Sequence, residues 1–340
     1  MESLITKEIK SKEVWENFVL SQDPKSFLQS WNWSETERLL GKKIFRLGFF
    51  KNDNLIGVCL IIKEEAKRGN HFLIPGGPFI NWQDRLLVKF FLKTIKDYAR
   101  SEKVWFVRLR PELVDTPENR KLFKNFGFFP SPMHLHAENT WVLNLSQGEE
   151  SIMRNMRKST RYLVRKSLNS GLEFAETVEP NNSKILDRLQ EETIERHKFV
   201  GFSEELFKAQ LETFGRDNQA KLYLCKKGKS ILAAAIIIFY GDYAYYHHSG
   251  STSKLREIPF SYFLQWRIIQ EAIKRKLKYY NFWGIAPSDS SRHRFAGVTL
   301  FKKGFGGGEI NWLHAQDLPI SLFYFLTYLF ETGRRLMRRL

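Results

Sequence analysis

Cations without acidic neighbours and imidazoles in close pairs are the side chains in this sequence most evidently spaced for chemistry. Arg154, Arg157, Lys158, Arg161, Arg165 and Lys166 lie in a stretch, Met153 to Leu172, that contains no Asp or Glu. On a single helix Arg154, Lys158, Arg161 and Arg165 follow one another at steps of four, three and four, so their heads share a face. With no local carboxylate to pair with, such a stripe binds anions, whether the phosphates of a polynucleotide or those of a smaller ligand; an ordinary solvated face is the alternative. His134 and His136 could present two imidazoles on one side of a strand, but no third ligand is near in sequence, and no metal site is expected. His247 and His248 are adjacent, so on a regular strand one ring lines a cleft and the other faces away. Glu112 follows Arg108 and Arg110, and is either a proton acceptor or half of a structural ion pair. The absence of a Gly-x-Ser-x-Gly elbow excludes a serine hydrolase of that type.

These residues need elements to hold them. A length of 340 residues, 43% hydrophobic and 15% aromatic, predicts two globular domains. The formal net charge of +17 and a pI near 9.7 predict a polyanionic partner, nucleic acid or anionic membrane. Two cysteines, Cys59 and Cys225, exclude a disulfide scaffold. The chain also repeats itself. Leu47 to Ile62 aligns without gaps to Leu222 to Ile237, an offset of 175 residues, and both read as a hairpin turning at Asp53 or Gly228. A glycine-bearing strand end follows each (Leu73–Pro78; Tyr245–Ser251), then an amphipathic helix (85–100; 261–276) and an aromatic strand (104–110; 278–284). Phe123-Lys-Asn-Phe-Gly-Phe128 echoes Phe301-Lys-Lys-Gly-Phe-Gly306. The expected domains are 1–148 and 149–316, with 317–340 as a basic amphipathic helix. That tail joins a thirteen-residue apolar run, 318–330, too short to span a membrane, to four arginines. It suits either an anionic leaflet or packing on its own domain. The amino terminus has no secretory pattern, so a cytoplasmic location is expected.

The order helix, hairpin, strand, helix, strand resembles the Gcn5-related N-acetyltransferase (GNAT) module. The expected fold is therefore α/β with mixed (α+β) sheets, in two tandem domains of this acyl-CoA N-acyltransferase type. In that module an Arg/Gln-x-x-Gly-x-Gly/Ala loop offers amides at a helix N-terminus to the pyrophosphate of coenzyme A. Here the loop reads Arg256-Glu-Ile-Pro-Phe-Ser261, and Pro259 removes a donor and fixes φ, so coenzyme A fits poorly.

Further segments make the resemblance narrower: Phe27–Trp33; Asn139-Thr-Trp-Val-Leu-Asn-Leu145 leading into Met153–Arg161; Tyr280-Asn-Phe-Trp-Gly-Ile285; and Phe301-Lys-Lys-Gly-Phe-Gly-Gly307. In that order they resemble the FemABX family, aminoacyl-tRNA-dependent transferases that build peptidoglycan interpeptide bridges. The stretch 201–223 is too short for the inserted helical arm of some relatives. The resemblance implies an aminoacyl-tRNA co-substrate, no cofactor, and a peptidoglycan precursor as acceptor, lipid-linked in view of the basic tail. It assigns Lys302, with Phe301 beside it, to the transferring end, where a cation suffices to stabilise a tetrahedral oxyanion. It places the acceptor near Trp33, Arg38, Tyr262 and Arg256, and tRNA or precursor phosphates on Arg154, Lys158, Arg161 and Arg165. Glu112 is the candidate base; Asn281 stands where relatives commonly have Asp. The implied location is the inner face of the plasma membrane, peripherally. Two other readings are an N-acyltransferase using a different donor or acceptor, and a non-catalytic tRNA- or membrane-binding module.

Overall fold

The computed structural model describes residues 4–67, 69–197, 201–255, 257–287 and 295–338. In chain order the elements are β1 (Leu4–Glu8), α1 (Lys12–Ser21), α2 (Trp31–Leu39), β2 (Lys43–Lys51), β3 (Asn54–Glu64), β4 (His71–Pro75), α3 (Arg85–Ser101), β5 (Phe106–Arg110), α4 (Pro117–Asn125), β6 (Phe129–Pro130) and β7 (Asn139–Asn144). There follow α5 (Gly148–Asn155), α6 (Lys158–Leu168), β8 (Glu173–Thr177), α7 (Ser183–His197), α8 (Glu204–Gly215), β9 (Ala220–Lys227), β10 (Ser230–Tyr240), β11 (Tyr243–Ser251) and α9 (Phe260–Lys274). The chain closes with β12 (Tyr279–Gly284), α10 (Ala296–Lys303), β13 (Gly308–Asn311), β14 (Gln316–Pro319) and α11 (Tyr324–Arg338).

They form two units, Met1–Glu138 with Asn311–Leu340, and Asn139–Ile310. Each holds a seven-stranded mixed sheet, ordered β1-β2-β3-β4-β5-β14-β6 in the first and β13-β7-β12-β11-β10-β9-β8 in the second. The repeat is visible in the pairing: β2–β3 and β9–β10 are the aligned hairpins, and the neighbours β4–β5 and β11–β12 run parallel. A parallel pair needs a crossover, which α3 and α9 supply. Asp84 starts α3 by accepting the N–H groups of Leu86 and Leu87, each at 3.0 Å. Leu87, Val88, Phe91, Leu92, Ile95 and Ala99 then form the stripe buried in the core of the first unit.

The expected boundaries, 148/149 and 316/317, differ from this division. β7 precedes the expected start of the second domain yet pairs with β12, and β14 lies beyond the second unit in sequence yet pairs with β5 and β6. Each therefore fills the corresponding place, beside β5 or β12, in a sheet it does not adjoin in sequence. The expected 317–340 helix is likewise a short strand followed by α11. Packing on its own domain, one of the two expected environments, holds for one face. Tyr324 and Thr327 are buried and Glu331 pairs with Arg108 at 2.7 Å, whereas Leu322 (84% exposed), Leu326 and Leu329 (69%) face solvent. Among the described residues no helix is long and apolar enough to cross a membrane. The stretch 201–223 holds only α8 and the start of β9, so no helical arm is inserted there.

Candidate functional site

In the second unit β11 and β12 pair only over Tyr243↔Tyr279, Ala244↔Tyr280 and Tyr245↔Asn281. Beyond these pairs both strands depart from regular register. β11 bulges at the Ile236/Ile237 step of its partner β10, where Ile236 opposes His248 and Ile237 opposes Tyr246. His247 is the extra residue, so the expected opposition of the two histidines fails: their ring centroids are 4.0 Å apart. β12 departs from its register with β7 between Asn281 and Gly284, and Trp283 has φ +64°, a conformation that bulky residues rarely take. The Asn281 side-chain oxygen accepts the Trp283 N–H at 2.8 Å and holds that turn. Asn281 is thus a buried structural acceptor, a task in which it replaces Asp without loss.

The irregular stretch turns the Gly284 carbonyl towards α10. Lys302, in the last turn of α10, is buried, and its ammonium donates to Gly284 O at 2.6 Å. The Tyr246 ring lies 5.9 Å from the same nitrogen, and no ion pair to Lys302 occurs among the described residues. Burial alone pulls this amine down to about 7. Phe301 is half-buried and meets Tyr262 edge-on at 4.9 Å; Tyr262 stacks on Phe305 at 6.0 Å. Burial raises the Tyr262 hydroxyl, an effect the nearby Arg157 charge opposes. Of the expected set the structure packs Phe301 against Tyr262, while Lys302, next to Phe301 on α10, turns its ammonium to Gly284 O and the Tyr246 ring. Nothing in the sequence distinguished these last two except their places at strand ends.

The basic stripe is not one helix. α5 ends at Asn155, Met156 and Arg157 are extended (ψ 146° and 141°), and α6 begins at Lys158. The break leaves the Arg157 N–H free to donate to Gly304 O at 2.9 Å. Gly304 is required there because a Cβ would lie 2.2 Å from Thr160 Oγ1. Arg154 therefore belongs to a different helix from Lys158, Arg161 and Arg165, although Arg161 reaches back to donate to Arg154 O at 2.8 Å. Arg154, Arg157, Lys158 and Arg165 are exposed and Arg161 half-exposed, and no ion pair involves them among the described residues. At the start of α9, Phe260 N–H donates to Ile258 O at 2.8 Å and Tyr262 N–H to Pro259 O at 3.1 Å.

The remaining expected residues lie in the first unit or outside the description. Trp33 is buried in α2, edge-on to Phe27 and His136, each at 5.7 Å. Arg38 is exposed and pairs with Glu35. Glu112 is half-buried and pairs with Arg110 at 2.8 Å, which is the structural alternative foreseen for it. Arg256 lies outside the described residues. His134 and His136 are not on a strand, and His136 has φ +60°.

With this geometry in view, comparison with known proteins is informative. The model of the FemAB family matches residues 10–125, 131–227 and 217–324. An aminoacyltransferase FemA of Staphylococcus epidermidis is 31% identical over 105 residues, which cover 31% of this chain and 25% of that protein. A lipid II:glycine glycyltransferase of the same species is 22% identical over 220 residues, 62% of this chain and 53% of that one. The chain thus spans about half the length, or less, of these curated relatives. The crystal structure of FemX superposes with a TM-score of 0.83 at 16% identity, covering 96% of this chain and 100% of that chain.

Proposed function

The chain belongs to the FemAB family, and on that premise we propose that it is an aminoacyltransferase, moving an amino acid from aminoacyl-tRNA to the stem-peptide amine of a peptidoglycan precursor. The observation that carries this reading is the buried ammonium of Lys302, without an ion pair among the described residues, beside the place where β11 and β12 cease to pair. An aminoacyl ester is already activated. The acceptor amine adds to its carbonyl carbon, the carbonyl oxygen gains negative charge, and collapse expels the terminal ribose oxygen of the tRNA, while the nitrogen loses its proton to solvent or substrate. A cation in a low-dielectric site stabilises that oxyanion far more than it would in water. Phe301, next to Lys302 on α10, packs edge-on against Tyr262.

The donor reading is supported by Arg154, Arg157, Lys158 and Arg165, exposed and without an ion pair among the described residues, suited to a phosphate backbone. It is also supported by the start of α9, where the Phe260 and Tyr262 amides are already engaged and Pro259 has none to offer a pyrophosphate. A lipid-linked acceptor at the inner face of the plasma membrane accords with α11, whose exposed leucines lead to Arg334 and Arg335. Incubation of the protein with charged tRNAs and a lipid-linked precursor, followed by mass measurement of the precursor, tests the proposal. One or more aminoacyl increments are expected. Transfer from acyl-coenzyme A but not from charged tRNA would overturn it.

A further inference from the structure

His134 and His314 converge on one carboxylate, that of Glu138, four residues from the first and 176 from the second. Glu138 Oε2 lies 2.5 Å from His134 Nδ1 and 2.7 Å from His314 Nδ1. These three donor atoms all lie within 4.8 Å of one another, in the first unit. The outer ends of the cluster are already fixed. His314 Nε2 faces Ser131 O at 2.7 Å, and since a carbonyl only accepts, that nitrogen carries the hydrogen. Glu138 Oε1 accepts the Ala315 N–H at 2.9 Å. In a neutral His314 the Nδ1 lone pair therefore points straight at a carboxylate oxygen, which is repulsive unless a cation sits between them.

We propose that His134 Nδ1, His314 Nδ1 and Glu138 Oε2 bind a divalent transition-metal ion, of the zinc class. Two imidazoles and one carboxylate form a donor set suited to such an ion, which takes four ligands at ~2.0–2.2 Å. The outer hydrogen bonds are of the kind that orient metal ligands: a ring N–H on a backbone carbonyl and a carboxylate oxygen on a backbone amide. Seating the ion widens the two nitrogen–oxygen separations to about 3.3 Å, the edge of a tetrahedron of that size. His134, whose side chain is 57% exposed, can make its share of that movement, His314 and Glu138 Oε2 part by about 0.6 Å on their outer hydrogen bonds, and the fourth position opens towards solvent. The ion would clip the segment leading into β14 onto the loop after β6. It is independent of the transferase reading, because none of its ligands belongs to the Lys302 site.

The test uses the full chain, stripped with a chelator and dialysed. Titration calorimetry with zinc alone should give one site per chain, zinc should raise the thermal midpoint, and cobalt should produce the visible absorption of a four-coordinate ion. His134→Ala, at an exposed position, should keep the metal-free circular dichroism and melting point and weaken zinc at least tenfold; Glu138→Gln should do the same to affinity. Absence of binding would overturn the proposal and leave an imidazolium–carboxylate triad. Binding of equal strength in His134→Ala and Glu138→Gln would overturn it too, since the ion would then reside elsewhere.

Discussion

Replacing Lys302 by Met should make the protein less active and, in mildly acidic solution, more stable. Burial holds the amine at about 7 in the folded chain against 10.5 when exposed. Each tenfold difference in proton affinity is worth ~1.4 kcal/mol, so carrying the ammonium below pH 7 costs the folded state about 5 kcal/mol. Met fills much the same volume without charge, but leaves the Gly284 carbonyl without its donor, a loss of about 1–3 kcal/mol. The net gain at pH 6 is then about 2–4 kcal/mol, or several degrees in melting temperature. The sign follows from the depressed value. Between pH 7 and 10.5 the unfolded chain binds the proton and the folded one does not, so wild-type stability rises with pH across that window. The variant lacks this slope, its advantage shrinks as pH rises, and the two curves cross between about pH 8.5 and 10. Activity moves the other way. The charge that is costly at rest is matched by the oxyanion in the transition state, and its removal should lower kcat about 10²–10³-fold. Denaturant melts at pH 6 and 9.5 with single-turnover transfer assays measure both effects. A Met variant that retains activity within about threefold, or that is the less stable protein at pH 6, refutes the reasoning.

Neutralising Arg154, Lys158 or Arg165 singly should weaken tRNA binding and lower the slope of log affinity against log salt by roughly one each, measured by anisotropy between 50 and 200 mM salt. Gly304→Ala places a Cβ 2.2 Å from Thr160 Oγ1. It should cost about 1–3 kcal/mol in denaturant melts, and Thr160→Ala in the same chain should restore at least ~0.5 kcal/mol beyond additivity. Leu326→Glu with Leu329→Glu, both on the exposed face of α11, should reduce co-sedimentation with anionic vesicles at least tenfold without moving the melting temperature.

Much of the architecture was legible because it was written twice. The hairpins, both crossover helices and the parallel strand pairs stand where the 175-residue offset put them. What escaped reading involved short or polar segments. β14 is only Gln316-Asp-Leu-Pro319, and its Asp317 is buried because Arg108 grips it through two bonds of 2.8 and 2.9 Å. No hydrophobic periodicity marks such a strand, so its membership of the first sheet is decided by a long-range ion pair. The interruption between α5 and α6 has no proline or glycine; its cause is the Gly304 carbonyl, far off in sequence. The histidine bulge is equally silent, since alternation is the default for any strand and only the partner's register reveals the extra residue.

The two copies also differ at the place where the proposed chemistry lies. Phe123-Lys124 and Phe301-Lys302 occupy corresponding places at the ends of α4 and α10, with the same residue types. In the first unit Phe123 is buried and Lys124 exposed; in the second Phe301 is half-buried and Lys302 is the buried member. The strands differ in the same sense. β4 is paired with β5 along its whole length, His71↔Phe106 to Pro75↔Arg110, and Gly77 N–H extends the contact to Arg110 O at 3.1 Å. β11 and β12 stop pairing after three residues, and the unpaired Gly284 carbonyl becomes the acceptor that makes burial of the Lys302 ammonium tolerable. A closed strand pair offers no such acceptor, so a lysine at position 124 has no reason to turn inward. The bulge that parts the second sheet and the cation beside it are therefore one device, and regularising β12 would expel the lysine as surely as mutating it.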